Sequence, residues 1–204
     1  MTILYVSLGI LAVLIAVGLV LPPRYSVAGS TTIDGTPAAV HAYVGHLDRW
    51  PEWMPWETED PSIVTSRNDR TTGVGASQSW TSATAGDGED AITECDEQSG
   101  IAYDMAFLTK RGRAPSKASI RYTPSGDGTK VTWTMVGDMV PMVPRARAGG
   151  MKLLMGRMIG GQLDRGLASL KEMVEASGAG TADRPLLDDD RERSGQVGGR
   201  VACG

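Results

Sequence analysis

The sequence predicts an α+β protein: a seven-stranded, curved antiparallel sheet around a long C-terminal helix, preceded by one transmembrane helix. Three observations carry this. Residues 1–21 hold no charged side chain. From Ser62 to Asp138, apolar and polar side chains alternate between closely spaced turn formers. Leu163, Leu167, Leu170 and Val174 follow one another at 4, 3 and 4 positions, the stripe of a helix with one buried face. The chain therefore divides into an anchor (1–22), a folded domain (23–176) and a tail (177–204).

In the first segment the only polar side chains are Thr2, Ser7 and the Tyr5 hydroxyl. A helix rises about 1.5 Å per residue, so about twenty residues cross a hydrocarbon core of about 30 Å. Pro22-Pro23 ends the helix, because proline lacks the N–H and restricts its predecessor. Arg24 marks the interface. A cleaved signal peptide is the competing reading, with Ser26-Val27-Ala28 as small residues at a cleavage site. It requires a basic start and an apolar core of about 7–15 residues. Here no Lys or Arg precedes the run and the run is longer, so an uncleaved anchor is preferred. Arg24, the one charge near either end, favours a cytoplasmic domain by the positive-inside rule.

Residues 25–33 are β-branched and small, as in a strand, and Asp34-Gly35 is a turn signal. Thr36 then caps a helix whose first position suits Pro37. Val40, Tyr43, Val44 and Leu47 form its buried face, and it should end near Asp48. Three of the five tryptophans follow within seven residues, Trp50, Trp53 and Trp56. Pro51 and Pro55 exclude a regular helix or a central strand, so a compact aromatic-lined connection is expected. Strands are predicted at 62–67, 75–83, 88–97, 101–109, 115–124 and 129–138. Gly73, Gly86-Asp87-Gly88, Ser99-Gly100, Arg111-Gly112 and Ser125-Gly126-Asp127-Gly128 separate them, the pattern of an antiparallel meander. Ile101, Tyr103, Met105 and Phe107 alternate with Ala102, Asp104 and Ala106, which means one covered and one wet face. Pro141 and Pro144 stop the last strand, and a helix follows over 146–176. Its Gly149-Gly150 and Gly160-Gly161 pairs are poor helix formers, so a frayed start, a kink or close approach to another backbone is expected. Residues 177–204 are rich in Gly, Asp and Arg without aromatic residues, and read as disordered.

Composition excludes several function classes. Asp+Glu exceed Lys+Arg by 24 to 20, giving a net charge of −4, which argues against a nucleic-acid binder. The two cysteines, Cys95 and Cys203, cannot form a disulfide scaffold or a four-ligand zinc site. With only His41 and His46 as imidazoles, a multi-histidine metal centre is nearly excluded. No cofactor motif is present: Gly73-Val74-Gly75 is a turn between strands with no helix after it.

A seven-stranded sheet must cover its apolar face, and the terminal helix is the only element large enough to do so. A strongly curved sheet around one helix leaves a concave apolar space, the usual seat of a small-molecule ligand. At this point the chain resembles a known group. Leu47-Asp48-Arg49-Trp50-Pro51-Glu52-Trp53-Met54-Pro55-Trp56-Glu57 is the most telling run. Ile33-Asp34-Gly35-Thr36-Pro37-Ala38-Ala39-Val40, Gly73-Val74-Gly75-Ala76 with Trp80, Thr129–Met135 and Leu163-Asp164-Arg165-Gly166-Leu167 accompany it. Over residues 21–176 the order and motifs resemble the SRPBCC superfamily (START/Bet v1-like), in its polyketide cyclase/dehydrase-like branch. The resemblance implies a helix-grip fold and an internal hydrophobic cavity, and no single reaction. At His41 relatives often carry an aromatic residue, which leaves its role open.

Trp50, Trp53 and Trp56 either line the cavity mouth or plug the space between helix and sheet. Trp80 and Trp133 fall in the inward phase of their strands, as do Tyr103, Met105, Phe107, Ile120 and Met135. Met135, Met139, Met142, Met151, Met155 and Met158 concentrate near the end of the sheet and the start of the helix, suited to varied apolar shapes or simply to core filling. The expected lining is thus Trp50, Trp53, Trp56, Trp80, Tyr103, Met105, Phe107, Ile120, Trp133, Met135, Met155 and Met158. Candidates for proton transfer are His46, Glu57, Glu94, Tyr103 and Asp104, with Asp104 on the wet face and no partner visible for either glutamate. Lys110, Arg111, Arg113 and Lys117 form a basic cluster, either a solvated loop or a contact for anionic headgroups.

The sequence thus favours a membrane-anchored domain, held at the bilayer by residues 1–21, that binds a lipid or another hydrophobic small molecule. Catalysis of the cyclase/dehydratase type is the alternative, and a carboxylate or His at the cavity floor would favour it. A chaperone or interaction module of the Aha1 type has no support beyond the fold.

Overall fold

β1 (Arg24–Ile33) leads through the turn at Asp34-Gly35 into α1 (Pro37–Val44), and the Thr36 hydroxyl caps that helix by accepting from the Ala39 N–H at 3.2 Å. A 3-10 turn over Leu47–Arg49 follows. The tryptophan run forms a compact connection built of two single-turn helices, α2 (Trp50–Trp53) and α3 (Pro55–Glu59). Each proline sits in a first turn, where its missing N–H has no intrahelical partner to lose, and extended Met54 breaks the two apart. The remaining strands are β2 (Val64–Arg67), β3 (Ser77–Thr81), β4 (Asp87–Asp96), β5 (Gly100–Thr109), β6 (Gly112–Ser125) and β7 (Gly128–Asp138). The last helix, α4, spans Arg145–Ala182. This computed structural model describes residues 24–110, 112–138 and 145–182 together with Tyr5, Gly9 and Ala16, and gives the side chains of α4 over 156–178.

The seven strands form one antiparallel sheet in the order β1-β7-β6-β5-β4-β3-β2. Six of them are a meander, and β1 pairs with β7 along its whole length, from Arg24 opposite Asp138 to Ile33 opposite Thr129. α4 covers the inner face, crossing at β1. Its stripe of Leu163, Leu167, Leu170 and Val174 is at most 2% exposed. Full burial of such a side chain is worth about 1.5–3 kcal/mol, so the stripe holds the helix to the sheet.

The helix runs unbroken through both glycine pairs. No kink is present, and the tight contact falls on the facing strand rather than at these glycines. A Cβ on Gly160 would lie 3.5 Å from Val27 Cγ1, and one on Gly29 would lie 2.8 Å from Asp164 Oδ1. The helix also continues past residue 176 to Ala182, sustained by Ala176, Ala179 and Ala182 around Gly178 and Gly180.

Among the described residues no helix is long and apolar enough to cross a membrane. The anchor predicted over 1–22 lies outside them, except for the three isolated residues, as do the tail over 183–204, Arg111, Pro141, Pro144, Met139 and Met142. So do the side chains of Met151 and Met155.

Candidate functional site

Cross-strand register arranges the inner face in rows. One row runs Thr65, Trp80, Gly88, Phe107, Ala114. The next runs Arg67, Gln78, Asp90, Met105, Ser116, Gly137, Tyr25. A third runs Ile92, Tyr103, Ala118, Met135, Val27. Between these rows, α2–α3 and α4 lies a cavity of about 490 Å³. Trp50, Trp56, Trp80, Tyr103, Met105, Phe107, Met135 and Met158 line it, together with Tyr25, Ile63 and Ile159.

Eight of the twelve expected lining residues therefore border the cavity. Trp53, Trp133 and Ile120 do not; they are 1%, 0% and 0% exposed and belong to the packing beneath it. The physical reason is stacking. Trp53 and Trp56 both pack on Trp133 with ring centroids 5.5 Å apart, and Trp50 packs on Tyr103 at 5.2 Å. The Trp133 indole N–H donates to the Tyr103 hydroxyl at 3.0 Å, and that of Trp50 to the Val44 carbonyl at 3.0 Å. The two readings of the tryptophan cluster are thus divided between residues: Trp53 plugs, while Trp50 and Trp56 line. A Cβ at Gly88 would overlap the Trp80 indole, so glycine there lets that ring lie flat across β4 beside Phe107.

The charged groups in this wall, Glu57, Glu59, Asp60 and Asp90, are all acidic. Asp90 is 6% exposed, and its Oδ2 accepts from Gln78 Nε2 at 3.1 Å. Asp90 Oδ1 and Gln78 Oε1 are buried with no hydrogen-bond partner among the described residues. Burial pushes the Asp90 carboxyl up to about 7; the Gln78 bond and the Arg67 charge oppose this and the Glu57 charge adds to it. Glu57 lies 3.4 Å from Arg67 and is raised by burial, against the pull of that arginine and of Thr65. Tyr103 is raised by burial and by Asp90. At the rim, Asp60 accepts from the hydroxyls of Ser62, Ser82 and Thr84 at 2.6, 2.5 and 2.5 Å, which hold its carboxyl well below the usual range.

The other proton-transfer candidates stand elsewhere. Glu94 pairs with Arg121 and Asp104 with Lys117, both on exposed surface. His46 is outside the lining, its backbone bridging to Thr72. His41 is buried away from the cavity, with Nδ1 3.3 Å from the Tyr122 hydroxyl and Nε2 3.5 Å from Cys95 Sγ. Burial lowers its pKa, opposed by Glu97 and Asp96 and aided by His46. In the basic cluster, Arg113 pairs with Glu89 and Lys117 with Asp104. A second hollow, about 440 Å³, lies beside Ser77, Ser79, Glu89 and Arg113, also touches Arg67, Gln78 and Asp90, and is far more polar. Among the described residues no cluster of His, Cys, Asp and Glu is placed to hold a metal ion.

Sequence reasoning missed Asp90 and Gln78. A signal existed for Asp90: it stands two residues before Ile92 in an alternating strand, and so in the buried phase.

A curved antiparallel sheet gripping one long helix over an apolar cavity defines a helix-grip domain. The chain belongs to the family described as polyketide cyclase / dehydrase and lipid transport, whose model matches residues 24–175, and so to the SRPBCC superfamily. Solved structures agree on the fold. A protein from Thermus thermophilus is 16% identical, covering 74% of this chain and 98% of its own, with TM-score 0.55. One from Chromobacterium violaceum is 14% identical over 74% and 98%, with TM-score 0.51. A hypothetical protein from Helicobacter pylori is 10% identical over 73% and 87%, with TM-score 0.57. No curated protein matches the sequence.

Proposed function

We propose that this protein is a membrane-anchored carrier that holds a hydrophobic small molecule, a lipid or polyketide-like compound, in the cavity between sheet and helix. The observation that carries the reading is the 490 Å³ space walled by Trp50, Trp56, Trp80, Phe107 and three methionines. Cavities of about 300–1,000 Å³ with apolar walls and few polar groups are suited to burying a small ligand. Methionine walls adapt to varied shapes. Residues 1–21 form the anchor, and Arg24 keeps the domain on the cytoplasmic side. Tyr25 borders the cavity one residue beyond that arginine, so a guest leaving the bilayer meets the site without a free linker.

The test is mass spectrometry of organic extracts from the purified full chain. A stoichiometric apolar compound is expected. Absence of any such compound, together with failure to take up added apolar probes, would remove the proposal. A second reading, a cyclase/dehydratase-type enzyme, is favoured by one observation, the buried Asp90 carboxyl on the cavity wall. A protonated acid there can deliver a proton to a carbonyl oxygen of a bound guest. Turnover of a candidate polyketide that disappears in Asp90→Asn supports catalysis, and unchanged turnover removes it.

A further inference from the structure

Carriers of apolar compounds are indifferent to the guest's head group unless the wall contains polar atoms that must be matched. This wall does. Asp90 and Gln78 stand on adjacent strands, directly opposite in register, and among the described residues no donor reaches Asp90 Oδ1 or Gln78 Oε1. Gln162 Oε1, across the cavity on α4, is in the same condition. All three are oxygens that accept. Unmatched buried acceptors are costly, so this part of the wall favours a guest that brings donors over one that brings further acceptors.

The charges point the same way. Glu57, Glu59, Asp60 and Asp90 border the cavity, and among the described residues no Lys, Arg or His does. Three of these carboxyls have protein partners: Glu57 has Arg67, Glu59 has Arg165, and Asp60 has its hydroxyls. Asp90 has only the neutral Gln78 amide on one oxygen. The aromatic residues around it add to this, since the faces of indole and phenol rings attract cations.

Resting on the carrier reading, we infer that the guest bears a protonated amine on an apolar body, its charge set against the Asp90 carboxyl and the acidic wall, and that the site discriminates against carboxylates. A carboxylate placed there meets two acceptor oxygens and an acidic wall. An alcohol supplies one donor and no charge. The order of affinity is therefore amine, alcohol, carboxylate.

Calorimetric titration of the full chain in lipid nanodiscs at neutral pH, referenced to empty nanodiscs, tests this with naphthylethylamine, naphthylethanol and naphthylacetate. The apolar body is common to all three. The amine is expected to bind at least about tenfold tighter than the carboxylate, a difference of about 1.4 kcal/mol. In Asp90→Asn the amine's advantage over the alcohol should vanish while the alcohol still binds. Equal binding of all three probes, or tighter binding of the carboxylate, overturns the inference and leaves the carrier reading standing. An amine advantage that persists in Asp90→Asn overturns the assignment to Asp90. Binding of none of them overturns both readings. The ranking on the unaltered chain is decisive even if the variant fails to fold.

Discussion

Asp90 couples the site to stability. Its carboxyl is pushed up to about 7, while an unfolded chain releases that proton near about 3.9. Between those values the folded state holds a proton that the unfolded state has lost. Asp90 therefore lowers stability progressively as pH rises through that window, and the cost is constant above it. Asp90→Asn is expected to raise the melting temperature by several degrees at about pH 8, at about 2–4 °C per kcal/mol for a domain of this size. Near about pH 4 the variant should melt like the parent, and an equal gain at both values would contradict the burial argument. Gly88 is a second sensitive position. Gly88→Val forces the Trp80 indole off β4 and into the cavity, and guest affinity should fall at least about tenfold, or about 1.4 kcal/mol. Unchanged affinity would mean that Trp80 moves outward instead.

The contact between α4 and β1 is made close by Gly29 on the strand and by Gly156 and Gly160 on the helix. Gly29→Val pushes a side chain into Asp164 and Leu167, and overpacking of this kind costs about 1–3 kcal/mol. Chemical denaturation should show that loss, and a neutral result would mean that the helix shifts freely. At the opposite rim, Asp60 joins the end of α3 to the loop over 82–86 through the hydroxyls of Ser82 and Thr84, and it also accepts from its near neighbour Ser62. Its lowered pKa stabilises the fold above the unfolded value, and this contribution is lost as pH falls. Asp60→Ala should speed amide exchange in residues 82–86 by about tenfold and leave β6 and β7 unchanged, because only local opening is eased. The elements themselves were legible where periodicity was strong. The alternation in β5 and β7 and the Leu163–Val174 stripe placed those faces correctly. The run from Trp50 to Glu57 was legible as a compact connection but not as two helical turns, because proline breaks a helix interior yet starts a helix in a first turn.

For the whole molecule, the proposed anchor makes a simple prediction. The full chain should sediment with membranes and the chain lacking residues 1–21 should not; recovery of the intact chain in the soluble fraction would count against anchoring. The inner face of the sheet, and hence the general position of the cavity, could be read from alternation alone. Which aromatic residues border the space could not, because Trp53 and Trp56 differ by three positions on separate helical turns and both stack on Trp133; only the assembled fold seals Trp53 and leaves Trp56 half-buried at the wall. Asp90 was overlooked because a charged residue in a strand is usually solvated, and here the chain buries it against Gln78. The division of the tryptophans has a practical consequence. Trp50, Trp56 and Trp80 border the cavity, while Trp53 and Trp133 stay sealed in the packing. Indole emission from the first three responds to occupancy against a steady background from the other two, so the protein carries its own optical gauge of filling.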